Sequence, residues 1–169
     1  MAFESVRPEA ITGNPFARIG SQWMLITAGS EAGGCNTMTA SWGGLGVLWN
    51  KPVSFIFVRP QRYTREFLER EGGYSLCFFA LDWHRQLGYL GTVSGRDEDK
   101  IARAGLTLTF VDGVPCFAQA ELVLLCQKLY RSDLTPDGFT VPGLDAENYP
   151  QRDYHRLYVG EVTRALVKK

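Results

Sequence analysis

The stretch Ala118-Gln119-Ala120-Glu121-Leu122-Val123-Leu124-Leu125-Cys126-Gln127-Lys128-Leu129 decides between helical and sheet architecture. Ala118, Ala120, Leu122, Leu124 and Cys126 recur at period two, alternating with Gln119, Glu121, Val123, Leu125 and Gln127. Side chains alternate across a strand, so this spacing lays one apolar and one mixed face on a single strand. Short runs rich in aromatic and branched residues predict further strands over Trp23–Ala28, Thr37–Trp42, Val53–Val58, Tyr74–Phe79, Leu106–Val111 and Arg156–Leu166. Turn signals separate them, and Asp112-Gly113 predicts a hairpin. Helical patterns are short: Tyr63–Glu71 before Gly72-Gly73, Trp83–Leu90 before Gly91, and Glu98–Ala104 with Asp97 as N-cap and Gly105 beyond. They are too few and too short for crossovers between parallel strands, so the expected fold is mainly β, an antiparallel sheet or barrel with a few short α-helices.

At 169 residues one domain spanning 1–169 is expected, and a chain of that size buries roughly 70% of its unfolded surface. Its 18 basic and 18 acidic side chains cancel without a run of like charge, which disfavours nucleic-acid and membrane-surface partners. Cys35, Cys77, Cys116 and Cys126 lack C-x-x-C spacing and read as reduced thiols in a cytoplasmic protein. Glu4, Pro8 and Glu9 interrupt Met1–Arg18 where a signal peptide needs an apolar core, and no apolar run reaches membrane-spanning length.

Several chemistries are disfavoured by motif. In Gly43-Gly44-Leu45-Gly46-Val47-Leu48-Trp49 a tryptophan stands where a third dinucleotide-binding glycine belongs. Walker A, H-E-x-x-H and G-x-S-x-G are absent, and His84 and His155 alone cannot build a histidine-rich metal site. What remains suits chemistry borne by a bound cofactor. Asn36-Thr37-Met38-Thr39-Ala40-Ser41-Trp42 offers a row of hydroxyls (Thr37, Thr39, Ser41) beside an indole, able to meet the polar edge of a flat ring; the same row also suits an edge strand using threonine for its β-propensity. Arg59-Pro60-Gln61-Arg62-Tyr63-Thr64 leads into a helix, and Ser94-Gly95-Arg96 precedes Lys100; each is a candidate anion site or a solvated turn. His155 could exchange a proton near neutral pH or simply close a strand, while His84 reads as structural. Together these features suit a planar, hydrogen-bonding, phosphorylated ligand such as a flavin. The stretch from Tyr130 to His155, with Phe139, Tyr149 and Tyr154, is either a functional lid or an idle loop.

Four ordered blocks carry a resemblance: NTMTASWGGLGVLWNKPV from Asn36, RPQRYTREFLE from Arg59, SGRDEDK from Ser94 and YHRLYVGEV from Tyr154. Over about Ser21 to Leu166 the chain resembles the flavin reductase-like family, most nearly its flavoredoxin-like branch. The resemblance implies a six-stranded antiparallel Greek-key split barrel that binds FMN, with FAD less expected, and works as a homodimer with flavin near the subunit interface and NAD(P)H as a possible electron donor. By position it implies Asn36, Thr39, Ser41 and Trp42 at the isoalloxazine, Arg59, Arg62 and Thr64 at ring edge and phosphate, and Ser94, Arg96 and Lys100 at phosphate or ribityl chain. His155 falls at a family histidine near the flavin face and is the one candidate for a catalytic role. Tyr154-His155-Arg156, where many reductases have Asp-His, and the long loop before it depart from the pattern and leave nicotinamide use open. The implied function is flavin-mediated electron transfer; the alternative is a non-catalytic split barrel that binds a ligand without redox turnover.

Overall fold

The strands in chain order are β1 (Phe3–Val6), β2 (Met24–Ser30), β3 (Gly34–Ala40), β4 (Gly43–Leu48), β5 (Lys51–Val58), β6 (Gly73–Phe78), β7 (Leu108–Val111), β8 (Val114–Phe117), β9 (Leu122–Asp133) and β10 (Arg156–Lys168). The helices are α1 (Pro15–Gly20), α2 (Thr64–Arg70), α3 (His84–Thr92), α4 (Lys100–Arg103) and α5 (Leu144–Asn148). This computed structural model describes residues 3–169; Met1 and Ala2, part of the N-terminal stretch weighed above as a signal sequence, lie outside the described residues.

The principal sheet runs β3-β2-β6-β9-β10-β5-β4, with β1 also on β10, and every pairing is antiparallel. The β9–β10 hairpin inserts between β5 and β6, strands that follow one another in sequence, which gives the mainly β split barrel its Greek-key character. Six strands of this sheet were predicted; β1 and β4 extend it to eight. β4 escaped prediction because its hairpin to β5 turns through Trp49 and Asn50, at φ 53° and 59°, without the glycine that usually marks such a turn. Asp112 and Gly113, at φ 51° and 76°, make the predicted two-residue turn between β7 and β8.

β9 starts at Leu122 rather than Ala118, because Ala120 donates its N–H to the Phe117 carbonyl at 3.1 Å and folds that stretch into a turn. From Leu122 to Cys126 both faces are buried. Leu122, Leu124 and Cys126 join the barrel interior with Ile56 and Tyr158, whereas Val123 and Leu125 join a second core with Leu87, Leu90 and Phe117. The face that looked mixed in sequence is therefore the floor on which α3 and the β7–β8 hairpin sit.

The irregular stretch begins only after Asp133. Leu134 donates its N–H to the His155 carbonyl at 2.9 Å, so the ends of this loop are tied together. Inside it α5 carries the chain to an aromatic cluster: Tyr149 and Tyr154 have centroids 4.9 Å apart, and Phe139 lies 5.8 Å from Tyr149. Through Tyr149, over which the Arg59 guanidinium lies, the cluster meets the chain just past β5.

Candidate functional site

Two cations gather at the C-terminal end of α3, where carbonyls have no partner within the helix. The Lys100 ammonium donates to Leu90 and Val93 carbonyls, both at 3.0 Å, and the Arg62 guanidinium donates to the Gly91 carbonyl at 2.7 Å. Lys100 reaches back from the start of α4, which begins two residues later than predicted. Asp99, not Asp97, is its N-cap and accepts from the Ala102 N–H at 3.1 Å. Lys100 is only 3% exposed, and its hydrogen bonds among the described residues go to carbonyls and to no carboxylate. Burial, with repulsion from Arg62, pulls its pKa down to about 8.

These groups line a cleft of about 320 Å³ with Asn36, Thr64, Ser94, Arg59 and Met38. Asn36 donates to the Thr64 hydroxyl at 2.9 Å, bridging β3 to α2. Gly95 packs on that amide so closely that a Cβ would stand 2.2 Å from the Asn36 Oδ1, which is why the turn between Ser94 and Arg96 holds glycine. The start of α2 offers fewer open donors than predicted, since the Arg65 and Glu66 amides bond to the Arg62 and Tyr63 carbonyls.

Arg59, Arg62 and Met38 also border a second compartment of about 220 Å³, lined by Thr39, Ser41, Trp42, Phe57 and His155. The two compartments therefore form one trough. Trp42 is 48% exposed, with its ring centroid 5.2 Å from that of His155. Tyr149 OH lies 2.8 Å from His155 Nδ1. Arg59 forms an ion pair with Asp153, donates to the Asn148 carbonyl at 2.9 Å and lies 5.1 Å from the Tyr149 ring centroid. The loop thus neutralises this arginine.

Of the residues predicted for the site, Asn36, Thr39, Ser41, Trp42, Arg59, Arg62, Thr64, Ser94, Lys100 and His155 line the trough. Arg96 does not: it lies over the Tyr63 ring at 4.4 Å and pairs with Glu66 on the surface. The hydroxyl row is also broken. Thr37 is fully buried, its hydroxyl 2.8 Å from that of Thr27, and Thr39 donates to the Leu87 carbonyl at 2.6 Å. β3 ends at Ala40, so Ser41 and Trp42 leave the strand alternation. Met38, Ala40, Phe57, Gln61, Tyr63, Thr92 and Val93 complete the walls; of these, Met38 and Ala40 fall inside the Asn36 block and Gln61 and Tyr63 inside the Arg59 block, whereas Phe57, Thr92 and Val93 carried no signal in sequence. His84 stacks on Trp23 at 3.8 Å, as a structural residue would.

Residues 16–169 match the flavin reductase like domain. The chain belongs to this family. No curated protein matches the chain. An FMN-binding domain of a flavin reductases-like enzyme from Shewanella baltica is similar in structure, with a TM-score of 0.69 at 20% identity over 98% of this chain and 77% of its own. Flavoredoxin from Methanosarcina acetivorans gives 0.67 at 22% over 88% and 69%. An NADH:FAD oxidoreductase from Streptomyces globisporus gives 0.64 at 15% over 87% and 74%. Identities this low speak for the shared fold, and the domain match for the family. In this flavin reductase like domain His155 is 7% exposed. Burial, then the charge of Arg59, lowers its pKa to about 4, so its imidazole is neutral at pH 7. The neutral ring can serve there as a hydrogen-bonding group.

Proposed function

We propose that this chain binds FMN in the trough and acts as a flavin-dependent oxidoreductase of the reductase or flavoredoxin kind. The observation that carries this reading is Lys100, a buried ammonium without a carboxylate, at one end of a trough whose other end presents an open indole face. A buried charge demands compensation, and a phosphate beside Lys100 and Arg62 supplies it. Ser94 and the Asn36–Thr64 pair offer hydrogen bonds there. Trp42 would hold the ring, and Ser41 and neutral His155 would offer hydrogen bonds to its polar edge. Bound flavin supplies the redox chemistry. The protein holds it, excludes water along the Met38 and Phe57 walls, and keeps an uncharged imidazole at the ring end. Favouring FMN over FAD, the charge at the phosphate end is confined to Lys100 and Arg62, which suits one phosphate.

A homodimer accords with the exposure of Trp42, Val47 and Trp49 along β4, an unpaired sheet edge. Light scattering at micromolar concentration should return twice the 18.9 kDa chain mass; a monomer with flavin bound would refute an interface site. Four free cysteines suit the reducing cytoplasm.

The deciding experiment is the visible spectrum of the purified protein, repeated after FMN addition and removal of free ligand. Retained flavin absorbance supports the reading, and none would overturn it. Rapid mixing of the FMN complex with NADH and with NADPH then separates a nicotinamide-dependent reductase from a carrier reduced by a protein. A complex that neither nicotinamides nor chemical reductants bleach would favour a non-catalytic ligand-binding barrel.

A further inference from the structure

We infer that Tyr149 is a positioning residue that fixes His155 as one tautomer, with Nδ1 accepting from the phenol and Nε2–H offered to the trough, so this end of the site is built for a neutral acceptor such as a carbonyl oxygen. The nature of that acceptor rests on the flavin reading above; the tautomer is a property of the ligand-free chain.

The geometry allows few alternatives. Tyr149 is 6% exposed, and the partner of its hydroxyl among the described residues is His155 Nδ1 at 2.8 Å. A phenol carries one proton, and a buried one without an acceptor is costly. If Nδ1 carried the hydrogen, the phenol proton would be left without an acceptor in a nearly sealed setting. With the phenol donating, both groups are satisfied and the imidazole hydrogen stands on Nε2. Among the described residues Nε2 has no hydrogen-bond partner and is not one of the sealed, unpaired polar atoms, while His155 lines the trough beside Thr39, Ser41 and Trp42.

The surroundings hold both rings. Tyr149 packs between Tyr154 and the Arg59 guanidinium and meets His155 edge-on, with centroids 5.6 Å apart. The charged groups that act on His155 are Arg59 at the end of β5 and Arg62 before α2, which oppose an imidazolium, and Asp153 on the loop, which favours one. Asp153 is already claimed by Arg59 and Gln61. Both members of the pair come from the segment closed by the Leu134-to-His155 bond, so docking of the loop and tautomer choice are one event.

With only His84 and His155 in the chain, long-range nitrogen–proton NMR correlations of the imidazoles can be assigned directly. In ligand-free wild type, His155 should show a protonated Nε2 and a bare Nδ1, unchanged from pH 8 to pH 5. Tyr149→Phe keeps the ring packing and removes the hydroxyl; His155 should then become a mixture of tautomers. FMN affinity of that variant should fall about 3- to 10-fold, the worth of one hydrogen bond. A wild-type Nδ1–H tautomer, or a Tyr149→Phe spectrum identical to wild type, would overturn the inference. A changed tautomer with unchanged FMN affinity would overturn its link to the trough. Should the variant fail to fold, the wild-type spectrum alone decides. A wild type with the expected tautomer that binds no FMN would defeat the flavin reading and leave the tautomer assignment standing.

Discussion

The two ends of the trough are built on opposite electrostatic plans. At the α3 end, Lys100 and Arg62 cap helix carbonyls with no carboxylate partner among the described residues, and carbonyl dipoles orient a cation without neutralising it. At the Trp42 end, Asp153 cancels Arg59 and burial keeps His155 neutral. Arginines at both ends look alike in sequence, yet what each is paired with decides whether it can hold an anion. The difference teaches that the long loop sets the polarity of the site: of the two arginines that border both compartments it takes Arg59 and leaves Arg62 to act with Lys100.

The sharpest way to break this contrast is to remove the charge at the α3 end. Lys100→Met should weaken FMN by about 1.5–3 kcal/mol, the range for a hydrogen bond to a charged group, while riboflavin, which lacks the phosphate, changes little. Paired titrations of the two ligands check it, and equal losses would move the phosphate elsewhere. The same end should respond to alkali. With the ligand-free Lys100 pKa at about 8, FMN but not riboflavin should bind less tightly as pH rises above 8. Stability should move the other way in that window. Between about 8 and the ordinary 10.5 the unfolded chain holds a proton that the fold has lost, so this group makes stability rise with pH.

The opposite substitution tests the neutral end. Trp42→Ala should weaken FMN and riboflavin alike, by roughly 0.5–1.5 kcal/mol beyond simple burial, as fluorescence titration would show. A phosphate-dependent loss would mean the ends are assigned in reverse. His155 makes this end acid-sensitive. Its folded pKa, about 4, lies below the ordinary 6.5, so the unfolded chain takes up the proton first and stability is lost as pH falls from about 6.5 toward 4. Thermal melts of the wild type across that window check it. The smallest effect is expected from Arg96→Gln. Its surface pair with Glu66 is worth about 0–1 kcal/mol and it does not reach the trough, so a large loss of FMN affinity would show that it swings inward on binding.

Six strands of the principal sheet were legible because period-two burial writes itself into the order of residues, as in Ser54 to Val58, where buried and half-buried side chains alternate. Misreadings cluster where local pattern and tertiary demand diverge. β4 hid behind a turn made by Trp49 and Asn50. Thr37 looked like a ligand-facing hydroxyl until Thr27 across the hairpin claimed it. Arg96 looked equivalent to Lys100, but one side chain was taken by Glu66 at the surface and the other by the buried end of α3.

By itself the sequence determined the antiparallel, mainly β architecture, the segments that converge on the trough and the kinds of group they bring. These depend on residue type and spacing, which act locally. Only the tertiary structure decided which groups remain free to act, because pairing, burial and protonation depend on neighbours far away in the chain. Asp153 reaches Arg59 across 94 positions, Lys100 meets its carbonyls only once α3 has docked, and Tyr149 orients His155 only in the closed loop.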